Sequence, residues 1–336
     1  MIKIAVIADD FTGSLDTGIK FAQAGAATQM MIGAEFELTR VAAGCEVLII
    51  DSETRHLPPE RAYEVVYGLV KRLKSLEVGT VYKKTDSALR GCVGAELAAL
   101  SDALEARVHF VPALPSENRI TVNGIQYIDG LPVSKSVFGT DPFEPVRHDA
   151  VADIIKEQND IPVFPGGDVS NVPDGGRMIV VHNACTEQEL DVIAEGLERA
   201  GELRAVAGCA GFAERLSKVI GPGGKKERAI SRAEGIFVVC GTVNERTGRQ
   251  LSYAGDHGFC RVSLTTEQKL LPNYLATEKG KKFSDGLKSL CKGERPVIVD
   301  VFDEADVVSE AERYCRSHGI AVEDIRVRIA ERLSEL

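Results

Sequence analysis

What limits this chain most is the alternation of short β-rich apolar runs with longer helical patterns through its first hundred residues. Ile4-Ala5-Val6-Ile7-Ala8 is apolar without a break, as a strand must be when a parallel sheet is covered on both faces. Helical spacing follows over 16–24 and Gly25 stops it. Further strands are predicted at 28–32, 47–50, 80–83 and 108–111. Pro58 and Pro59 open a helix to about residue 76, with Ala62, Val65, Val66, Leu69, Val70 and Leu73 on one stripe, and 94–104 is another. This βαβ repetition predicts an α/β fold, a doubly wound and mostly parallel sheet whose ligands sit beyond the carboxyl ends of the strands.

The pattern breaks at 119–133. There Asn123-Gly124 and Asp129-Gly130 punctuate short apolar runs, which predicts a β-hairpin inserted after the fifth strand. A loop at 140–146 follows, then a strand at 178–181, a helix at 187–199, and a strand at 205–207 running into Gly208-Cys209-Ala210-Gly211-Phe212. The run 221–228 is rich in breakers and lacks apolar periodicity, so it reads as a linker. Domains of 1–228 and 229–336 are therefore expected. The second is a smaller α/β unit with strands at 236–240 and 297–301 and helices at 307–316 and 325–333. A length of 336 residues, at roughly 150 per domain, agrees with two.

Composition removes several classes of function. Forty basic and fifty acidic side chains leave a net charge of −10, which argues against nucleic acid because phosphate binding wants a basic face. Eight cysteines form no C-x-x-C pair and read as scattered core thiols. Six histidines show no metal-ligand spacing, so no metal site is expected from protein ligands. No apolar run approaches the ~20 residues of a membrane helix. The amino terminus runs straight into a strand without a signal-peptide profile, and a cytoplasmic protein is expected.

Three strand-end segments carry candidate chemistry. In Ala8-Asp9-Asp10-Phe11-Thr12-Gly13-Ser14-Leu15-Asp16, two carboxylates stand where a dinucleotide fold needs glycines, which disfavours a nicotinamide oxidoreductase. Asp9 or Asp10 can accept a proton from a substrate hydroxyl, while Gly13, Ser14 and the helix start offer donors to an anion. Either Asp also suits a plain helix cap. In Asp51-Ser52-Glu53-Thr54-Arg55, Arg55 can fork onto a carboxylate. In Lys83-Lys84-Thr85-Asp86-Ser87-Ala88-Leu89-Arg90-Gly91, strand alternation allows at most one of Lys83 and Lys84 to face inward. Asp86 and Arg90 would share a face if that segment were helical. Cations, hydroxyls and carboxylates this close suit a polyhydroxy acid. Gly208-Cys209-Ala210-Gly211 and Gly241-Thr242-Val243-Asn244, taken alone, read as close-packed turns, since neither is a P-loop.

Together these blocks resemble the four-carbon acid sugar kinase family. The resemblance continues through Pro112-Ala113-Leu114-Pro115 with Arg119, Asp141-Pro142 with Pro145-Val146, and Gly241-Thr242-Val243-Asn244 with Thr247 and Gln250. It implies an ATP- and Mg²⁺-dependent kinase acting on the terminal hydroxyl of threonate, erythronate or 3-oxo-tetronate. The implied catalytic carboxylates are Asp9, Asp10 and Asp86. The sugar acid would be held by Ser14, Asp16, Arg55, Lys83, Lys84, Ser87 and Arg90, and the nucleotide by Gly241, Thr242 and Asn244. A homodimer is one assembly this allows. Family members end in a G-G-[DE]-T-like turn and a K-x-G-x-F-G-like segment. Neither occurs here, so a truncated nucleotide domain is expected, with sugar-acid binding without catalysis as the alternative reading.

Overall fold

A computed structural model describes residues 2–141, 144–165, 176–221, 235–302, 307–320 and 324–336. Pro142 and Phe143 of the expected loop, and 222–228 of the expected linker, lie outside these residues. The chain divides into two compact units, Met1–Arg228 and Ala229–Leu336.

The first unit is built on eight parallel strands. These are β1 (Ile4–Ala8), β2 (Thr28–Ile32), β3 (Val47–Asp51), β4 (Thr80–Lys84), β5 (Val108–Val111), β9 (Val163–Pro165), β10 (Ile179–Val181) and β11 (Ala205–Gly208). Their order is β2-β3-β1-β4-β11-β5-β10-β9. Strand alternation sorts the side chains into two cores. Ala5, Ile7, Leu48, Ile50 and Val81 pack beneath α2 (Pro59–Leu73), α3 (Val93–Leu104) and α4 (Val151–Lys156). Ile4, Val6, Val47, Ile49 and Tyr82 pack beneath α1 (Phe11–Gln23), α5 (Glu187–Ala200) and α6 (Ala210–Val219). Neighbouring β1 and β4 thus send their chains to helices on opposite faces. Their carboxyl ends are a topological switch point, where a doubly wound sheet opens a crevice.

Two expectations change. Helix α1 starts at Phe11, not near residue 16, because the Asp10 side chain accepts from Gly13 N and caps it. Its first two turns bury Gly13, Ser14, Thr17 and Gly18, too small and polar to show as an apolar stripe, and a large apolar side chain is buried only at Phe21, while Phe11, Leu15 and Ile19 are exposed. Lys83 and Lys84 are both buried, since helices cover both faces of β4 and neither residue has an outward side.

The insertion after β5 is a small antiparallel sheet of β6 (Arg119–Val122), β7 (Ile125–Ile128) and β8 (Leu131–Pro132). Asn123 at φ 50° and Gly124 at φ 76° make its first turn, the primed geometry that two-residue hairpins favour. In the second unit, β12 (Phe237–Cys240), β13 (Cys260–Ser263) and β14 (Val297–Asp300) form a parallel sheet in the order β12-β14-β13. Strand β13 went unforeseen because its residues are only part-buried and mixed in polarity. All eight cysteines are free, but Cys185 and Cys291 are exposed and so are not core thiols. Buried His109 and His182 share a 2.9 Å ring-nitrogen contact. Burial pushes them down to about 4 and about 3, and both stay neutral near pH 7.

The contact between α3 and α4 is tight. A Cβ on Gly94 would lie 2.3 Å from the carbonyl oxygen of Ile155, whereas a Cβ on Gly196 in α5 would meet nothing within 4 Å. Gly94→Ala is expected to cost about 1–3 kcal/mol, and Gly196→Ala to be neutral or to stabilise by up to about 1 kcal/mol. Urea midpoints of the two variants check this; a Gly94→Ala midpoint at or above wild type would contradict the packing argument.

Candidate functional site

Three loops meet beyond β1, β3 and β4. Asp9 and Asp10 follow β1, and Arg55, in the loop after β3, forks across them with Nε 2.7 Å from Asp9 Oδ2 and Nη1 2.7 Å from Asp10 Oδ2. The backbone locks the same pairing, since Thr54 N and Arg55 N both donate to the Asp9 carbonyl at 3.0 and 3.2 Å. Asp10 uses Oδ1 for the cap of α1, 2.9 Å from Gly13 N. Asp10 is therefore both a helix cap and a site carboxylate. Arg55 is already forked, but onto the chain's own carboxylates.

The loop after β4 is a turn rather than a helix, with Leu89 at φ 65° and Gly91 at φ 82°. Asp86 and Arg90 still pair, Nε to Oδ2 at 2.7 Å and Nη2 to Oδ1 at 3.3 Å, and Arg90 Nη1 reaches Asp141 Oδ2 at 3.2 Å. Burial opposes ionisation of Asp86. The Arg90 hydrogen bonds and charge, with Arg55 and Lys84, outweigh it and hold the carboxyl below its ordinary range. Lys84 faces the α1 side, with Nζ 2.8 Å from the Thr85 carbonyl. A Cβ on Gly13 would stand 2.8 Å from that Nζ and 2.5 Å from Asp10 Oδ1. A side chain at position 13 would make the Asp10 carboxylate and the Lys84 ammonium shift.

Lys83 points the other way. Its Nζ is 3.0 Å from Glu96 Oε2 of α3, and both side chains are sealed from water. It also donates to the Lys84 carbonyl at 2.9 Å, while Glu96 accepts from Thr54 Oγ1. Burial raises the Glu96 carboxyl, and the Lys83 charge pulls against it. Lys83 thus lies beneath the loops instead of lining the crevice. Ser87 accepts through Oγ from Arg119 Nη1 and through its carbonyl from buried Gln126 Nε2 at 3.2 Å. Ser14 is buried, and its Oγ donates to the Asp10 carbonyl at 3.0 Å. Asp16 lies exposed on α1, outside the cluster.

Two buried atoms here, Asp9 Oδ1 and Thr85 Oγ1, have no hydrogen-bond partner among the described residues. Asp51 Oδ2 is a third, and burial, with Glu53 beside it, pushes the Asp51 carboxyl up to about 7. Sequence reasoning missed Glu96 and Gln126 as site supports, because neither lies in a strand-end loop. In the second unit, Gly241, Thr242 and Asn244 are exposed ahead of α7 (Glu245–Asp256). There Asn244 Oδ1 caps the helix through Arg246 N at 2.9 Å and Thr242 Oγ1 accepts from Asn244 N at 3.1 Å.

The fold is that of a doubly wound α/β domain, followed in the chain by a second, smaller α/β unit. A family described as "Sugar-binding N-terminal domain" matches residues 4–216. A D-threonate kinase of Salmonella typhimurium is 31% identical over 273 residues, covering 77% of this chain and 62% of that protein. A D-erythronate kinase of Heliobacterium modesticaldum is 28% identical over 353 aligned positions, covering 100% of this chain and 79% of its own. A solved Bordetella bronchiseptica structure, titled a domain of unknown function with bound citrate and a domain-swapped dimer, is 26% identical. It superposes with a TM-score of 0.59 over 95% of this chain and 81% of that one. The chain belongs to the Sugar-binding N-terminal domain family over residues 4–216, and along its length it is similar to kinases of four-carbon sugar acids. No helix among the described residues is long and apolar enough to cross a membrane.

Glu96→Ala leaves Lys83 buried and unpaired, an expected loss of about 3–5 kcal/mol. The double variant Lys83→Met with Glu96→Leu should recover much of it. Denaturant unfolding checks this, and a double variant no more stable than the single would show that the pair is not what holds the loops. Asp51 titrates higher in the folded chain, at about 7, than its ordinary value of 3.8. The folded state binds the extra proton between those values, so Asp51 makes stability fall as pH rises across that window. Asp51→Asn should flatten this decline in unfolding measured from pH 4 to pH 7; an unchanged slope would assign it to other groups.

Proposed function

We propose that this protein phosphorylates the terminal hydroxyl of a four-carbon sugar acid (threonate, erythronate or 3-oxo-tetronate) with ATP. The observation that carries this reading is the crevice at the β1/β4 switch point, where Asp9, Asp10 and Asp86 interleave with Arg55, Lys84 and Arg90. Such a surface offers acceptors to several hydroxyls and donors to one carboxylate. The likeness to a D-threonate kinase and a D-erythronate kinase supports it.

In this mechanism the substrate carboxylate is held by Lys84 and Arg90. A carboxylate of the Asp9–Asp10 pair takes the hydroxyl proton as the oxygen bonds to the γ-phosphorus and the bond to the departing ADP breaks. Asp86, held ionised by Arg90, orients the hydroxyls. Gly241, Thr242 and Asn244 fit a phosphate, because their exposed loop leads into the amino terminus of α7. Among the described residues no cluster of three His, Cys, Asp or Glu could hold a metal. Mg²⁺, carried mainly by phosphates and water, would neutralise charge on the transferring group. A homodimer is part of the proposal, supported by the domain-swapped dimer of the Bordetella relative.

A coupled assay with the three acids tests the reading. Wild type is expected to turn over at least one, and Asp9→Asn and Asp10→Asn together should bracket the base, one losing ~10²–10⁴-fold in kcat. Calorimetry should show the acid still bound. Sugar-acid binding without turnover or ATP binding in the wild type would replace the kinase with a binding protein.

A further inference from the structure

Arg90 and Arg119 come from different parts of the chain, the turn after β4 and the first residue of the inserted sheet. They share one aromatic ring. The guanidinium carbon of Arg90 lies 5.0 Å from the Phe138 centroid and that of Arg119 lies 5.3 Å away. Both distances fall within the range of cation–π attraction. Each guanidinium is also tethered, Arg90 by Asp86 and Asp141 and Arg119 by Ser87 Oγ and by Glu117 at 3.1 Å.

The ring itself is fixed. Phe138 sits in a short 3₁₀ turn, Val137–Thr140, where its N donates to Ser136 Oγ at 3.2 Å and its carbonyl accepts from Val146 N at 3.0 Å. A Cβ on Gly139 would fall 1.9 Å from the Ser134 carbonyl oxygen, so this turn has no slack. Two like charges against one ring repel each other, and the tethers from Asp86, Asp141, Ser87 and Glu117 act together with the ring to hold them. The negative face of the ring offsets that repulsion.

We infer that Phe138 is a positioning residue that holds Arg90 and Arg119 as a paired cation for the carboxylate of the sugar acid. This rests on the proposed function and adds Arg119, with its support from Phe138, to the recognition of the acid group by Lys84 and Arg90. Arg119 touches the ligand, whereas Phe138 acts through the two arginines.

The test is calorimetric titration of wild type, Phe138→Leu and Phe138→Tyr with threonate, erythronate and 3-oxo-tetronate, and with erythritol, a neutral polyol of equal length. Phe138→Leu keeps apolar bulk and removes the ring; Phe138→Tyr restores the ring. The acids should bind ~3- to 30-fold more weakly to Phe138→Leu and near wild-type strength to Phe138→Tyr, with erythritol unaffected. In the kinase assay KM for the acid should rise while kcat changes little. Equal loss of acid and erythritol binding would make the role merely structural and overturn the inference. So would acid binding as tight in Phe138→Leu as in wild type. Wild-type protein that binds none of the acids overturns the functional reading and this extension of it together.

Discussion

A lysine and a glutamate, both closed off from water, hold the working end of the sheet together. Lys83 on β4 and Glu96 on α3 pair at 3.0 Å, and desolvating two charges costs several kcal/mol per ion, which attraction alone does not always recover. Here the remaining valences are also filled. Lys83 donates to the Lys84 carbonyl, and Glu96 accepts from Thr54 Oγ1. Thr54 in turn shares a 2.8 Å hydroxyl contact with Ser52, which donates to the Ala8 carbonyl at 2.7 Å. One ion pair thereby ties β4 and α3 to the loop after β3 and to the end of β1. Asp9, Asp10, Arg55 and Lys84 all hang from those points.

Above that pair the charges come close to balancing. Arg55 is divided between Asp9 and Asp10, and Arg90 between Asp86 and Asp141. A polyanion would find no surplus of cations, whereas a ligand with one carboxylate and several hydroxyls exchanges hydrogen bonds without stranding a charge. The overall acidity of the chain adds to this selection, because it repels phosphate-rich polymers at long range. The proposed substrate class follows from a mixed lattice of both signs more than from any single residue.

The strand runs and the three loops were legible in the sequence, because a buried parallel strand is apolar throughout and its carboxyl end must meet the next loop. Three features were not, each for a physical reason. The start of α1 was hidden because it buries Gly13, Ser14, Thr17 and Gly18, which carry no hydrophobic period. Burial of both Lys83 and Lys84 depends on helices covering both faces, something alternation within one strand cannot reveal. Glu96 looks like any first-turn acid of α3, and its partner stands on another element. The pairing of Asp86 with Arg90 was expected from helical spacing, yet a turn with Leu89 at φ 65° achieves it.

The inserted sheet explains why these loops can be held accurately without being helical. Its Gln126 is fully buried, receives Thr121 Oγ1 at 2.7 Å, and donates to the Ser87 carbonyl. An antiparallel register, Thr121 opposite Gln126 and Arg119 opposite Ile128, thereby fixes the turn after β4 from the side the main sheet leaves open. The division of labour has a consequence for specificity. Asp9, Asp10 and Lys84 descend from strands in the centre of the sheet and cannot move without disturbing both cores. Arg119, Phe138 and Asp141 descend from the insertion, whose turns can be altered while the strand ends stay in place. The residues that the insertion contributes can therefore change while the strand-end carboxylates and Lys84 stay in place.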